Sequence, residues 1–347
     1  MRVTQNYQTI QMLRFVAASA VALTHVTFYI QTRVNPSIEI WKAGAQGVQL
    51  FFVISGFVMA LSSGAISGKL VDWSDFILRR LVRIVPLYWV MNFVKLAILF
   101  LIPSALFAKP DWFNIFLSLF FIPSKNENGI IETFYGVGWT LNFEIFFYLI
   151  IAFFLFFRVG VVLFSTLTLG FLLALSSLRQ DDWPSVTYLL HPYLANFIWG
   201  LLIAKLVSMK NMDKPLFGSV LVILSSYFIF IDQIFPTMSF LGVQYAALVM
   251  GLVMIESTAN GKIPRLILFG GDVSYSLYLT HAMVGPIVVV AVNKLGMNSK
   301  FGLLSISYLM ILVTAIVCHI YVERRLGKLI SDQLRLRKKL NNPSINS

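Results

Sequence analysis

Apolar residues fill most of this 347-residue chain in runs separated by short polar stretches. A helix needs about 20 apolar residues to cross the hydrocarbon core of a bilayer. Runs of about that length, or slightly shorter, lie near residues 10–30, 44–62, 81–102, 137–157, 159–177, 186–204, 216–231, 238–256, 272–293 and 302–321. The pattern predicts an all-α fold, a polytopic membrane bundle of about ten transmembrane helices.

One further apolar run, Trp112 to Ile122, has only eleven residues, and its length alone leaves its role open. Basic residues concentrate in the cytoplasmic loops of membrane proteins. With ten spans, 18 of the 27 Lys and Arg residues lie on the side that holds both termini, and seven lie opposite. If the short run also spanned, Arg2 and the basic C-terminal tail would be on opposite sides. We therefore predict ten spans and two cytoplasmic termini.

The amino-acid composition agrees with a membrane protein and indicates which kinds of partner the chain contacts. Hydrophobic residues make up 58% of the chain and charged residues 12%, with a mean hydropathy of +0.80, which excludes a soluble globule. The net charge of +12 is interpreted as contact with anionic membrane lipids rather than with nucleic acid. Cys318 is the single cysteine, so no intramolecular disulfide forms, and the four histidines lack the spacing of a metal site.

Two ionisable residues, Arg14 and His25, interrupt the first apolar run. They are eleven positions apart, so they share one helical face and are separated by about 16 Å along its axis. Ionisable residues inside membrane helices are candidates for function because their burial is costly. The alternative is structural, with the arginine reaching toward the headgroups and the histidine hydrogen-bonded inside the bundle.

A carboxylate stands in the segment GWTLNFEIFFY, which opens the fourth predicted span. Glu144 and Tyr148 are four residues apart and share a face, and Trp139 precedes them. The predicted topology places Glu144 about two turns from the outer end of its helix, at the depth of His25. A carboxylate beside an imidazole is a common general base. The alternative is a structural ion pair between Glu144 and Arg14 or Lys95.

Basic residues also mark the cytoplasmic mouth of the third span, in FILRRLVRIVP at residues 76–86. Arg80 and Arg83 are three apart on one helical face, a spacing that suits forked recognition of phosphate groups. The alternative is that this charge only holds the loop in the cytoplasm. In the second span, the small residues of GVQLFFVISGF at residues 47–57 predict close helix packing.

Taken together, these segments resemble the acyltransferase 3 family, integral-membrane enzymes that acylate bacterial polysaccharides and lipopolysaccharide. The resemblance covers nearly the whole chain in family order and is weakest between residues 158 and 265. It rests on Arg14 and His25, GVQLFFVISGF, FILRRLVRIVP, GWTLNFEIFFY, and GDVSYSLYLTH at residues 271–281. Gln49 stands where an Asp is common in the family, and the additional extracytoplasmic domain of some members is not seen. The expected domains are an acyltransferase region at 1–325 and a basic cytoplasmic tail at 326–347.

The resemblance implies an O-acyltransferase of the bacterial inner membrane. The expected donor is cytoplasmic acyl-CoA, most readily acetyl-CoA, used as a co-substrate without any permanently bound cofactor. The expected acceptor is a hydroxyl of a cell-surface glycan or its lipid-linked precursor. His25 corresponds to the catalytic histidine of the family, Arg14 to its partner arginine, and Arg80 and Arg83 to its arginine pair.

In the expected mechanism, Arg80 and Arg83 bind the donor phosphates, and His25 deprotonates the acceptor hydroxyl with support from Glu144. A covalent acyl-histidine relay remains equally compatible with the sequence. Tyr275 donates a hydrogen bond either to the donor or, structurally, to a neighbouring helix. The full set of possible supporting residues is Trp139, Tyr148, Tyr275, Ser276 and His281.

A rival hypothesis from another class is a transporter of a lipid-linked glycan or of a proton-coupled solute. It would use Arg14, His25 and Glu144 as a relay across the membrane. It would not need a phosphate site at Arg80 and Arg83, and the broken helices typical of a midplane transport site are not evident in the sequence. The oligomeric state stays open.

Overall fold

The computed structural model describes residues 7–101, 111–209, 214–234, 242–256 and 263–341. These residues form helices joined by short connections, and the described part contains no β-strand. The α-helices are α1 (Gln8–Arg33), α2 (Gly47–Ser62), α3 (Trp73–Leu101), α4 (Trp112–Leu119), α5 (Trp139–Phe156), α6 (Val161–Ser176), α7 (Leu194–Val207), α8 (Pro215–Ile234), α9 (Val243–Glu256), α10 (Arg265–Lys294), α11 (Lys300–Cys318) and α12 (Arg325–Asn341).

Among the residues that the structure describes, six helical segments are long and apolar enough to cross a membrane, which confirms a helical membrane bundle. The segments are 8–33, 42–62, 73–101, 136–156, 265–294 and 300–333. Four shorter apolar helices, α6 to α9, occupy other predicted spans. The eight-residue α4 measures only about 12 Å, well short of a bilayer core. The number of helices that cross, and the side of each terminus, stay predictions.

Two helices begin earlier than the apolar pattern suggested. α3 starts at Trp73 rather than near residue 81, and α10 starts at Arg265 rather than near residue 272. Hydrophobicity marks only the part of a helix that lies in apolar surroundings, whereas backbone hydrogen bonding continues through charged turns. As a consequence, Arg80 and Arg83 lie within α3 and not at its mouth.

Small residues bring the central helices close together. α1 packs most extensively against α10, and a Cβ atom added at Gly271 would overlap the backbone of Gln11. α2 packs against α7 in the same way, because a Cβ at Gly56 would overlap the backbone of α7 and a Cβ at Gly200 that of α2. The close packing predicted for GVQLFFVISGF is thus confirmed.

The segment between α3 and α5 folds onto the bundle. The hydroxyl of Tyr88 donates to the carbonyl of Ser118 at 3.1 Å, which fixes α4 against α3. Lys95 donates to the carbonyl of Phe134, and the hydroxyl of Tyr135 donates to the carbonyl of Leu279 in α10. The chain before α5 therefore already reaches the level of Leu279, and α5 begins inside the bundle.

The chain leaves α11 through a π-helical turn, His319–Arg324, and continues directly into α12. α12 packs against α3, with Gly327 facing Val82. The region expected as a separate tail from residue 326 therefore begins within a helix that rests on the bundle. π-Helical turns occur frequently at functional sites.

Candidate active site

A cavity with about 750 Å³ of empty space opens among α1, α2, α3, α5 and α10. We call it the arginine cavity. Its lining residues are Arg14, Val48, Phe51, Phe52, Ile54, Ser55, Val58, Met59, Arg80, Arg83, Ile84, Thr140, Leu141, Glu144, Tyr148, Tyr275 and Tyr278.

Helical spacing explains why two arginines of α3 face this cavity and a third does not. Arg80 and Arg83, one turn apart, both line it, whereas Arg79 is exposed. The guanidinium of Arg80 lies 5.8 Å from the centre of the Phe76 ring, and its buried Nε has no hydrogen-bond partner in the described residues. Arg80 therefore has donor capacity that this part of the chain leaves unused.

Arg14 enters the cavity from α1 and is tied to α10. Its Nη1 donates to Oε1 of Gln11 at 3.3 Å, and Nε2 of Gln11 donates to Oδ1 of Asp272 at 3.1 Å. These two hydrogen bonds hold the guanidinium of Arg14 near the end of α1 that is cytoplasmic in the predicted topology. The close approach at Gly271 makes the connection possible.

Glu144 is the acidic residue among the cavity's lining residues. Its Oε2 accepts a hydrogen bond from the hydroxyl of Tyr148 at 2.7 Å, as the four-residue spacing suggested. The positive charges of Arg83, Arg14 and Arg80 act on this carboxylate. The alternative partner Lys95 lies elsewhere, against the carbonyl and ring of Phe134.

His25 is not one of the residues that line the arginine cavity. Its Nδ1 lies 3.0 Å from the carbonyl oxygen of Val21. Because a carbonyl oxygen only accepts, Nδ1 carries the proton in the neutral ring, and Nε2 holds the lone pair. The ring of His25 lies 4.7 Å from that of His281 and 6.2 Å from that of Tyr29, centre to centre. We call His25 and His281 the histidine pair.

The structure does not bring Glu144 and His25 together. Glu144 lines the arginine cavity, whereas His25 lies outside its lining and contacts His281. The chain before α5 already reaches α10 at Leu279 through Tyr135, and the later residue Glu144 lies with the three arginines. The match in membrane depth stays a prediction.

Three other predicted residues have mainly structural contacts. The hydroxyl of Tyr275 lines the cavity and donates to the carbonyl of Ile84 at 2.7 Å, the helix-to-helix bond that was one of its two expected roles. Ser276 is outside the lining and donates to Glu323 at 2.8 Å. Trp139, also outside it, stacks on Tyr193 at 5.6 Å.

Sequence reasoning missed two polar residues that the fold brings to this region. Tyr278 lines the cavity, and its hydroxyl lies 3.1 Å from Oγ1 of Thr140 and 3.2 Å from the carbonyl of Val137. Its spacing of three from Tyr275 was a usable signal. Glu323 accepts from Ser276 and lies 2.9 Å from Nδ1 of His319, but its position depends on the π-helical turn.

The remaining predictions for the site concern Gln49 and metals. Gln49 does not line the cavity. Within the ranges that the structure describes, no group of three or more His, Cys, Asp or Glu side chains could hold a metal ion.

Comparison with known proteins now assigns the family. The family model described as an acyltransferase domain, that of acyltransferase 3, matches residues 7–323. The chain belongs to the acyltransferase 3 family. The exopolysaccharide production protein ExoZ of Rhizobium meliloti (strain 1021) is 33% identical to this chain over an alignment of 274 residues. The alignment covers 74% of this chain and 81% of that protein. No solved structure matches the chain. The region matched to acyltransferase 3 contains the arginine cavity and the histidine pair.

Proposed function

We propose that this protein transfers an acyl group, most readily acetyl, from cytoplasmic acyl-CoA to a hydroxyl of a cell-surface glycan or of its lipid-linked precursor. Its place of action is the bacterial inner membrane. The observation that carries the proposal is the arginine cavity, in which three guanidinium groups meet inside an otherwise largely apolar membrane bundle. Such a concentration of positive charge needs an anionic ligand to offset its burial.

The chemistry of coenzyme A fits the lining of this cavity. Its phosphate groups match guanidinium donors, which bind them in bidentate fashion. The buried Nε of Arg80, without a partner in the described residues, is a donor that such a ligand would satisfy. Apolar side chains of α2, such as Val48, Ile54 and Val58, line the same space and suit the uncharged arm and acyl group of the donor.

His25 has the free Nε2 that the reaction requires. In the proposed step the acceptor O–H bond breaks while its oxygen bonds the acyl carbon, and Nε2 takes the proton. The acyl C–S bond then breaks, its electron pair stays on sulfur, and the thiolate takes from the imidazolium of His25 the proton that came from the acceptor hydroxyl. The same Nε2 could instead attack the thioester first, which would give an acyl-histidine on the way to the same products.

The proposed class of acceptor is supported by the similar protein ExoZ and by the predicted membrane topology. ExoZ is named as an exopolysaccharide production protein, which supports a polysaccharide or its precursor as the acceptor here. His25 lies toward the outer side in the predicted topology, eleven residues beyond Arg14 on the same face of α1. The donor would therefore approach from the cytoplasm and the acceptor from the opposite side.

Mass spectrometry of surface glycans tests this proposal. We compare a strain that carries the gene, a deletion strain, and the deletion strain complemented with wild type or with His25→Ala. The expected result is a loss of acyl groups in the deletion strain, restored by wild type and not by the variant. Acylation that is unchanged by deletion would refute the proposal. A reduced amount of surface glycan with normal acylation per glycan would instead support the transporter hypothesis.

A further inference from the structure

His281 is a histidine in an unfavourable place. It is fully buried on α10, between the ring of His25 at 4.7 Å and that of Tyr278 at 5.6 Å. Both ring nitrogens are buried, and neither has a hydrogen bond of normal geometry in the part of the chain that is described. The carbonyls of Leu277 and Tyr278 are near the ring but do not complete such a bond.

A buried polar group without a partner destabilises the folded state, and an apolar ring of similar size would avoid this cost. Packing alone therefore favours a phenylalanine at this position. Residues that break such local rules occur preferentially at functional sites. The side chains that contact His281 are therefore the candidate hydrogen-bond partners of its ring nitrogens. One of these side chains is the imidazole of His25.

The position of His281 also connects the two regions of the site. Tyr278 lines the arginine cavity and contacts the ring of His281 edge-on. His281 in turn contacts His25, which lies outside the lining. The order is therefore cavity, Tyr278, His281, His25.

We propose that His281 is a positioning residue that holds His25 in place and accepts a hydrogen bond from it once His25 is protonated. This inference rests on the proposed function. When Nε2 of His25 takes the proton of the acceptor hydroxyl, the imidazolium has two N–H groups. One stays on the carbonyl of Val21, and the new one donates to an unprotonated nitrogen of His281. The proton then leaves His25 for the thiolate of coenzyme A.

The two rings are already in contact, but they form no hydrogen bond with each other in the structure. Their planes are tilted by 51° with the centres 4.7 Å apart, which is ring contact but not a hydrogen bond. Hydrogen bonds of a catalytic centre are often long before substrate binds and shorten in the reactive complex. No other imidazole is in contact with His25 in the described residues, since His191 and His319 pack elsewhere.

The test compares an apolar and a polar replacement, His281→Phe and His281→Gln. His281→Phe should keep or raise the thermal unfolding temperature of the purified protein and lower turnover at least tenfold, with an unchanged KM for acetyl-CoA. His281→Gln, whose amide oxygen can accept the hydrogen bond, should recover part of the turnover. A merely structural histidine would not show higher stability together with lower turnover.

His191→Phe is the matched control, because His191 lies in a separate aromatic group with Tyr193 and should tolerate the change without loss of turnover. Should His281→Phe fail to fold, His281→Met supplies the apolar comparison. Equal turnover in the apolar and Gln variants, or wild-type turnover in the apolar variant, overturns the inference while the proposed function stands, provided that His25→Ala is inactive. If His25→Ala also retains full activity, His25 is not the base and this inference falls with it, whereas the absence of acyl transfer by the wild-type protein would refute the proposed function itself.

Discussion

The arginine cavity and the histidine pair both include residues of α1 and α10, yet they are opposite kinds of site. The cavity collects charged side chains from α1 and α3 together with a carboxylate from α5, around open space. The histidine pair is a contact between two imidazole rings, with His281 fully buried. In the proposed function this contrast separates two tasks, namely binding an anionic donor and moving one proton.

The distance between the two regions explains how one helix serves both tasks. Arg14 and His25 share a face of α1 but differ by about 16 Å in depth. A long, thin donor with charge at one end and a reactive carbon at the other would extend from one region to the other. Substitutions in the cavity should therefore change donor affinity, and substitutions in the pair should change turnover.

Loss of His25 gives the largest expected effect. General base catalysis contributes about 10²–10⁴-fold to a rate, so His25→Ala should lower turnover at least 100-fold. Membrane levels should stay near wild type, because the side chain is only half-buried. Acyl transfer by purified protein, normalised to folded protein, is the measurement. Retained turnover would remove His25 from the chemistry.

Loss of either cavity arginine of α3 should weaken donor binding. A hydrogen bond to a charged group is worth about 1.5–3 kcal/mol, so Arg80→Ala and Arg83→Ala should each raise the KM for acetyl-CoA roughly tenfold or more. Turnover at saturating donor should change far less. Steady-state kinetics with varied acetyl-CoA separates the two.

Arg79→Ala is the matched control for these variants. It removes the same charge from the neighbouring position of α3, but its side chain is exposed and does not line the cavity. If Arg79→Ala weakens donor binding as much as Arg80→Ala, the charge acts through topology and the phosphate site is refuted.

The sequence revealed the arginine cavity better than the histidine pair, and the reason is physical. A charge inside an apolar run is conspicuous, so Arg14 and Glu144 could be identified from the sequence, and the spacing of Arg80 and Arg83 placed them on one helical face. His281 was only a possible supporting residue, because its contact with His25 joins positions 256 residues apart and leaves no local pattern.

Depth was the part that sequence could not supply. The apolar run of α5 gave its length but not where the helix begins relative to its neighbours. That level is set by Tyr88, Lys95 and Tyr135, which attach the preceding segment to α3 and α10. Each of these is a single long-range contact that leaves no local pattern, so the sequence could not show that Glu144 lies in the arginine cavity and His25 outside its lining.

Glu144 sharpens the comparison because the two interpretations predict different kinetic effects. As a member of the arginine cavity it balances and orders Arg14, Arg80 and Arg83, so Glu144→Gln should raise the KM for acetyl-CoA several-fold. A direct partner of His25 would instead lower turnover. Steady-state kinetics with both substrates decides between them, and a pure loss of turnover would contradict the placement of Glu144 with the arginines.

Tyr148→Phe should have a smaller effect of the same kind. It removes one hydrogen bond to Glu144, which is worth about 0.5–1.5 kcal/mol, and keeps the ring. The expected result is a rise of roughly two- to tenfold in the KM for acetyl-CoA with turnover preserved. A double variant with Glu144→Gln should show no further loss, because both changes act on one contact. Additive losses would show that Tyr148 contacts the donor independently.

Single cysteines can report on which side of the membrane a loop lies, and they should leave activity unchanged. They test the ten-span topology, from which the depths of Arg14 and His25 were predicted. In a Cys318→Ala background, we place cysteines at Asn126, Asn211 and Ser347 and treat intact spheroplasts with a membrane-impermeant maleimide. Labelling is expected at 126 alone, because only a non-spanning 112–122 segment keeps Arg2 and the tail cations on one side. Permeabilised cells provide the control that all three thiols react. Labelling of 211 or 347 in intact spheroplasts would show that the short run spans or that another assigned span does not, and the predicted sides of the donor and the acceptor would lose their support.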